Sequence, residues 1–568
     1  MFKGGDPLHL EPCCSDSTSV MDDGGLGDDE PASVVIIGGG PHALAALAAL
    51  RDGEPLHGDG EGSREASCHD LRSVCVVDPG EHFLQDWNSR FDALEIKHLR
   101  SPAFAHPAAC DPNALLDFAQ RKGRTSELLA APVKGSWLAS TDLSASGSLL
   151  QALPSNALFR DFCASLEATL PHRWLSGTAT SVCKDAATGK YRVHYRSTTS
   201  CGGRERRVAA KAVILATGPV GRWVIPAPFE PLVAVGSPLV LHTEALLAQQ
   251  VGTGATLSEE ITRRCPGGAT RVLVIGGGIS AAQAALAAFR AGHRVVLRSR
   301  RPLRTRAFDV GSEWLDVRTA DRLRFDFLCL PMRERRRAVR EATPGGSVPA
   351  NYMDELHRLA RLHPAELQLE VDDAIESSAV EAIDADDAKA KAKAVAVNGE
   401  AFAMVILATG VVASPSSSPL YQSISERFGA PTVEGLPRVG NRLRWLPHED
   451  IFVLGANAVL ELGPGGANLM GAMRGARIVS HELAALMGKA AQPRPSFSNM
   501  YAAFGDRQRF GEHENEIDVL AQQLNLSPQA ETALRKAQKK GKKVTKGLKS
   551  DRDPLEHLYA HTRRQPYT

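Results

Sequence analysis

One stretch constrains this chain more than any other: Ser33 to Leu50, SVVIIGGGPHALAALAAL. Val34 to Ile37 is an unbroken β-branched run, the pattern of a strand buried on both faces of a parallel sheet. It passes directly into Gly38-Gly39-Gly40-Pro41-His42-Ala43, which satisfies G-x-G-x-x-A, and then into an Ala/Leu-rich helix. That order has a physical logic. Gly38 allows a tight turn, Gly40 lets a pyrophosphate approach the backbone, and Ala43 lets helix and strand pack closely. The free N–H groups at the helix start then face the phosphates. Alone, such a loop is also compatible with a plain tight turn.

A second copy argues against coincidence. Arg271 to Arg301, RVLVIGGGISAAQAALAAFRAGHRVVLRSRR, repeats the grammar of strand, Gly276-Gly277-Gly278-Ile279-Ser280-Ala281, helix, strand. The pair predicts an α/β fold with two dinucleotide-binding, Rossmann-like domains. In the first unit the second strand, SVCVVDPG, ends in Asp78, placed to accept ribose hydroxyls. It arrives late because a polar, Gly-rich loop from Asp52 to Asp70 precedes it. In the second unit Arg298, Arg300 and Arg301 stand where an acid would be expected, Arg298 about 20 residues past Gly278. Guanidinium groups there suit a 2′-phosphate, so NADPH is expected rather than NADH.

Between and after the two units, several segments invite a role. Trp87 follows the second strand closely, where a flavin ring would lie. His98, Arg100 and Ser101, with Lys97, precede a Pro-containing loop and are the pocket candidates; a solvated loop is the alternative. Helices are expected from about Pro112 to Arg121 and from Ser155 onward, then a β-rich section over 174–208. KAVILATGP sets Ala216-Thr217-Gly218 at the carboxyl end of a strand, where small residues let backbone approach a cofactor. AFAMVILATGVV repeats that ending and reads as the chain returning to the first sheet, making the second domain an insertion. MRERRRAVREATP reads as a charged, solvent-facing helix. The closing segment IFVLGANAVLELGPGGANL places Gly455, Gly465 and Asn468 near a helix N-terminus suited to the polar edge of a flavin. The expected divisions are a leader over 1–31, a first domain over 32–265 and 401–495, an inserted domain over 266–400, and a partly helical basic tail over 496–568.

Composition narrows the function classes. The 568 residues carry 66 basic and 65 acidic side chains, so no global charge points to nucleic acid. No apolar run approaches the length of a membrane span, and the polar start lacks the apolar core of a secretory signal. Ten cysteines are scattered without a C-x-x-C or metal-ligand spacing, which argues against a dithiol reductase and a bound metal and for a reducing compartment, the cytoplasm being expected and an organelle staying open.

Two dinucleotide folds, one inserted in the other, two Ala-Thr-Gly strand ends and a closing glycine segment resemble the class B flavoprotein monooxygenases. Trp87 followed by KHLRSP, then LPSNALFRDFC and LGPGGANL, looks most like the lysine/ornithine N-hydroxylase-like proteins. The resemblance spans roughly residues 32–490. It implies FAD, NADPH, O2 and a small nucleophilic substrate, with N-hydroxylation favoured; self-association stays open. The F-x-G-x-x-x-H-x-x-x-W/Y pattern of Baeyer–Villiger and flavin-containing monooxygenases is absent, GPVGRWVIPAP standing in its place, and no amino-acid clamp is matched. An NADPH-dependent flavin reductase or oxidase, or a flavin-binding regulatory protein similar to the oxidative-stress-induced growth inhibitors, are the alternatives.

Overall fold

The computed structural model describes residues 31–52, 71–130, 152–199, 203–250, 253–266, 269–315, 317–372, 379–384 and 393–484. The leader, the loop after Asp52 and the basic tail lie outside the described residues.

The first unit runs β1 (Ala32–Ile37), α1 (Pro41–Asp52), β2 (Val74–Asp78), α2 (Gln85–Ala93), α3 (Ala114–Arg121), α4 (Asn156–Glu167), β3 (Arg173–Lys184), β4 (Tyr191–Ser197) and β5 (Glu205–Leu215). β1 lies between β2 and β5, parallel to both. The first residues of β3 extend the sheet parallel to β2. Its remainder turns with β4 and the start of β5 into an antiparallel meander. Val34, Val35 and Ile36 are fully buried and Ile37 nearly so, each worth about 1.5–3 kcal/mol of apolar burial. α4 begins where Ser155 caps it, its Oγ accepting from the Leu158 N–H at 3.0 Å.

The chain then leaves through β6 (Gly221–Trp223) and builds the second unit. This comprises β7 (Val240–His242), β8 (Arg271–Ile275), α5 (Ile279–Arg290), β9 (Arg294–Ser299), α6 (Val317–Cys329), α7 (Met332–Ala342), α8 (Ala350–Leu362) and β10 (Leu367–Val371). A second meander follows, β11 (Val380–Asp384), β12 (Lys393–Val397) and β13 (Glu400–Phe402), and then β14 (Met404–Leu407). Five parallel strands form its sheet in the order β10-β9-β8-β14-β7. β15 (Val411–Ala413) pairs antiparallel with β6, so the outgoing and returning connections form one ribbon. α9 (Pro419–Phe428), β16 (Ile451–Val453) beside β5, and α10 (Leu469–Leu483) complete the first unit. α10 lies on α1, where Ser480 Oγ donates to the Ala49 carbonyl at 2.6 Å. The alanines of α1 permit that approach.

Three expectations need correction. β7, expected within the first part, is hydrogen-bonded to β14 of the second sheet, so the insertion starts at the β6 connection. The second Ala-Thr-Gly does not return the chain to the first sheet: β14 lies between β8 and β7, and the return comes through β15. The arginine-rich α7 is not solvent-facing throughout. Arg335 is buried, with Nη1 on Glu461 at 3.0 Å and on the Leu460 carbonyl, Nε on the Leu330 carbonyl and Nη2 on that of Leu328.

Candidate functional site

The two glycine loops are held by the same backbone contacts. The Gly38 N–H donates to the Val77 carbonyl at 2.9 Å, and the Gly276 N–H to the Arg298 carbonyl at 3.0 Å. The Ala216 N–H donates to Ile37, and the Ala408 N–H to Ile275, both at 2.8 Å. At Gly38 (φ 114°) a methyl group would lie 2.4 Å from the Ala216 carbonyl oxygen; at Gly276 (φ 153°) it would lie 2.3 Å from that of Ala408. The two Ala-Thr-Gly ends are therefore the floors on which the first glycines rest, and only glycine fits them.

Around the first loop the surroundings close in. Asp78 Oδ2 accepts from the Gly39 N–H at 2.7 Å and Oδ1 from the Gly80 N–H at 2.8 Å. Burial pushes its carboxyl above the ordinary range, against these two hydrogen bonds. Trp174, which the sequence did not single out, donates Nε1 to the Gly80 carbonyl at 2.7 Å and reaches toward Gly39. Its signal was its place opposite Val76 on the strand beside β2. His42 Nε2 meets the Ala467 carbonyl at 3.2 Å, tying the helix start to the closing segment, and its ring lies against Gly455. Burial pushes that imidazole down to about 4. Thr217 Oγ1 lies 3.0 Å from the Tyr421 hydroxyl, which accepts from Asn457 Nδ2 at 2.8 Å. Asn457 Nδ2 also donates to the Gly218 carbonyl at 3.0 Å. Tyr421 and Asn457 were likewise unforeseen; Asn457 stands two residues past Gly455. Asn468 caps α10, its Oδ1 accepting from the N–H groups of Met470 and Gly471.

This surround fits a dinucleotide. No atom lies within 4 Å of where a side chain at Gly40 would point. His42 Nδ1 and Asn457 Oδ1 are buried and lack partners among the described residues, leaving polar atoms for a ligand to satisfy. Trp87 stacks on Phe91 at 4.8 Å with its indole N–H similarly unpartnered.

The second loop differs. Gly276 to Ser280 are half-exposed, and the Gly345–Gly346 turn (φ 63° and 56°) crosses over it, so that a methyl at Gly278 would meet Gly346 Cα at 3.7 Å. Register also corrects the arginine reading. Ile37 pairs with Val77 but Ile275 pairs with Arg298, so the residue matching Asp78 is Ser299, not Arg298. Successive strand side chains point to opposite faces. Arg298 is buried, with Nη2 2.8 Å from Glu370 and 3.7 Å from Glu400. Arg300 and Arg301 lie beyond the strand end and are exposed.

The pocket candidates are not brought into one open pocket. Arg100 clasps the insertion: Nη2 donates to the carbonyls of Arg306 (3.2 Å) and Phe308 (3.0 Å) and to Ser347 Oγ (2.9 Å), while Nη1 lies 3.0 Å from Asp309. His98 bridges to Ser155 and is half-buried, and Ser101 is buried. Burial, then the charge of Lys97, lowers the His98 pKa. Nearby, Gln283 Nε2 donates to the carbonyls of Leu94 and Glu95, and the Lys97 N–H to the Tyr352 hydroxyl. Residues 94–101 thus join the two units.

Two sheets with parallel cores, each with a glycine loop docked on an Ala-Thr-Gly end and a meander leading to a later strand, define a protein of two dinucleotide-binding, Rossmann-type domains. Residues 163–325 match the family model of the pyridine nucleotide-disulphide oxidoreductases. No curated protein matches the sequence. Among solved structures, the FAD-bound cadaverine monooxygenase of Erwinia amylovora is 17% identical, with 82% of this chain and 96% of that chain covered at TM-score 0.55. The ornithine hydroxylase of Pseudomonas aeruginosa in its reduced form is 16% identical over 81% of this chain and 100% of that chain, TM-score 0.56. The ornithine N-hydroxylase of Kutzneria sp. 744, solved with reduced FAD, NADP+ and L-ornithine, is 15% identical over 80% and 99%, TM-score 0.56. At these identities the likeness establishes the fold. No helix among the described residues is long and apolar enough to cross a membrane.

Proposed function

We propose that this chain is an FAD-dependent, NADPH-consuming monooxygenase that transfers one oxygen atom of O2 to a small nucleophilic substrate, an amine nitrogen being favoured. The observation that carries the reading is the pair of glycine loops docked alike but surrounded differently: one enclosed, for a cofactor that stays, one half-open, for a cofactor that exchanges. Bound FAD would supply hydride acceptance and oxygen activation. The protein's part is to hold and shield. Gly38, Gly40, Pro41, His42 and Ala43 would cradle the FAD pyrophosphate, Asp78 its ribose, and Ala216, Thr217, Gly218, Gly455, Gly465 and Asn468, with Trp87, its remaining edges. Gly276, Gly278, Ile279, Ser280 and Ala281 would hold the NADPH pyrophosphate and Arg300 its 2′-phosphate. A buried, water-poor flavin site favours oxygen transfer over peroxide release.

A plain disulphide reductase is disfavoured despite the family-model match. The sequence holds no C-x-x-C, and burial raises the pKa of the Cys163 and Cys265 thiols, away from the reactive thiolate. The test is to reduce the holoprotein with NADPH without oxygen and then mix it with oxygen. A persisting flavin absorbance distinct from both oxidised and reduced forms is expected. Immediate return to oxidised flavin, with and without added amines, favours the oxidase; flavin that NADPH never bleaches favours the regulatory protein.

A further inference from the structure

A second cleft opens beside the closing glycine loop. Trp314, Leu315 and Arg324 of the insertion face Gly465, Met470 and Arg474 across it. Its walls are apolar apart from the two arginines and the backbone of the loop leading into α10. Arg324 has a counter-ion, Asp321 at 2.9 Å. Arg474 has no hydrogen-bonding or ionic partner among the described residues, although every other arginine of this region is tied: Arg335 to Glu461, and Arg477 to the Ala109 carbonyl. Arg474 is half-buried, so its guanidinium leaves five donors at the cleft with no acceptor among the described residues. Burial, then the neighbouring Arg324 charge, push its pKa down to about 9, against the smaller opposing pull of Glu461 and Asp321.

We propose that this cleft is an oxyanion-binding site, in which Arg474, assisted by Arg324, takes the carboxylate, sulfonate or phosphate head of a small molecule. The cleft is narrow and admits one such head group, which a planar guanidinium can hold through two parallel hydrogen bonds. The anion has two sources: the substrate itself, presented beside the loop that would border the flavin, or a free inorganic ion. Only that choice of source rests on the monooxygenase reading.

Trp314 lines the cleft and reports on it. Holoprotein at constant ionic strength is titrated with sulfate, phosphate and 5-aminopentanoate, with 1,5-diaminopentane, in which an ammonium replaces the carboxylate, as the control lacking an oxyanion, and fluorescence is taken as the difference from Trp314→Phe. Saturable change with at least one oxyanion and none with the diamine is expected. Arg474→Gln should raise that dissociation constant at least tenfold, and Arg474→Lys should recover part of it. If no oxyanion gives a saturable change, or Arg474→Gln binds within twofold of the wild type, the site is refuted. Should Arg474→Gln not fold, the wild-type titration and Arg474→Lys still decide. NADPH oxidation separates the sources: stimulation by 5-aminopentanoate assigns the anion to the substrate, and binding without stimulation assigns it to a free ion. Failure of NADPH to reduce the flavin would count against the monooxygenase alone, since the titration needs no turnover.

Discussion

The two glycine loops of this protein share their skeleton and differ in their surroundings. In both, the first glycine rests on the carbonyl of an alanine at the end of a neighbouring strand, and no side chain can replace its hydrogen. Beyond that floor they part. The first loop is buried under the closing segment, with Asp78 on its amides and His42 against Ala467; the second is half-exposed, with Ser280 at the place of His42 and Ser299 at the place of Asp78. Backbone sterics shape the loop, then, and the elements packed over it decide how enclosed it is.

The comparison is most sharply tested at its shared floor. Gly38→Ala and Gly276→Ala should each cost about 4 kcal/mol, from a backbone conformation that disfavours alanine plus overpacking. In thermal unfolding with absorbance detection, Gly38→Ala should lose FAD, whereas Gly276→Ala should keep FAD and lose NADPH reduction. Release of FAD from both would show that the units are not separable. Next in size is the clasp between them. Arg100→Ala leaves several buried carbonyls without their charged donor and should cost about 3 kcal/mol, read as a lowered Tm. An unchanged Tm with uncoupled NADPH oxidation would restore a pocket-lining role.

Acid should separate the loops as well. The His42 pKa is lowered from 6.5 to about 4 in the folded protein, so the unfolded chain binds the proton first. Its stabilising contribution is complete above pH 6.5 and is lost as the pH falls toward 4, a loss of about 2 kcal/mol between pH 7 and pH 5. His42→Asn should flatten that part of the stability profile and of FAD retention, leaving the share of His106, which burial also lowers to about 4. A wild-type slope in His42→Asn would place the titration elsewhere. The smallest effect concerns the second loop alone. Arg300→Ala should raise the NADPH KM about tenfold, the value of one charge-assisted contact, while Arg298→Ala leaves it within twofold; the reverse outcome would reinstate Arg298.

Much of this architecture was legible because it depends on local chemistry. Buried strand, triple glycine and small-residue helix are adjacent in sequence, and their geometry follows from backbone freedom and helix dipole without help from the rest of the chain. The place of Asp78 at the end of β2, against the glycine loop, was readable for the same reason. The arginines were not. A shift of one residue reverses the face on which a side chain stands, and only the paired register shows that Arg298 matches Val77. Likewise the sequence shows two Ala-Thr-Gly strand ends but not which sheet each one joins, since parallel partners are far apart along the chain.

By itself, then, the sequence determined the two Rossmann-type folds, their order and the two glycine loops, all set by interactions within a few residues. Tertiary structure alone decided the boundaries of the insertion, the diversion of Arg100 from pocket to clasp, the enclosure of His42, and the meeting of Arg324 with Arg474 across the second cleft. Those depend on contacts between segments as much as 425 residues apart, as with His42 and Ala467, which no local pattern encodes.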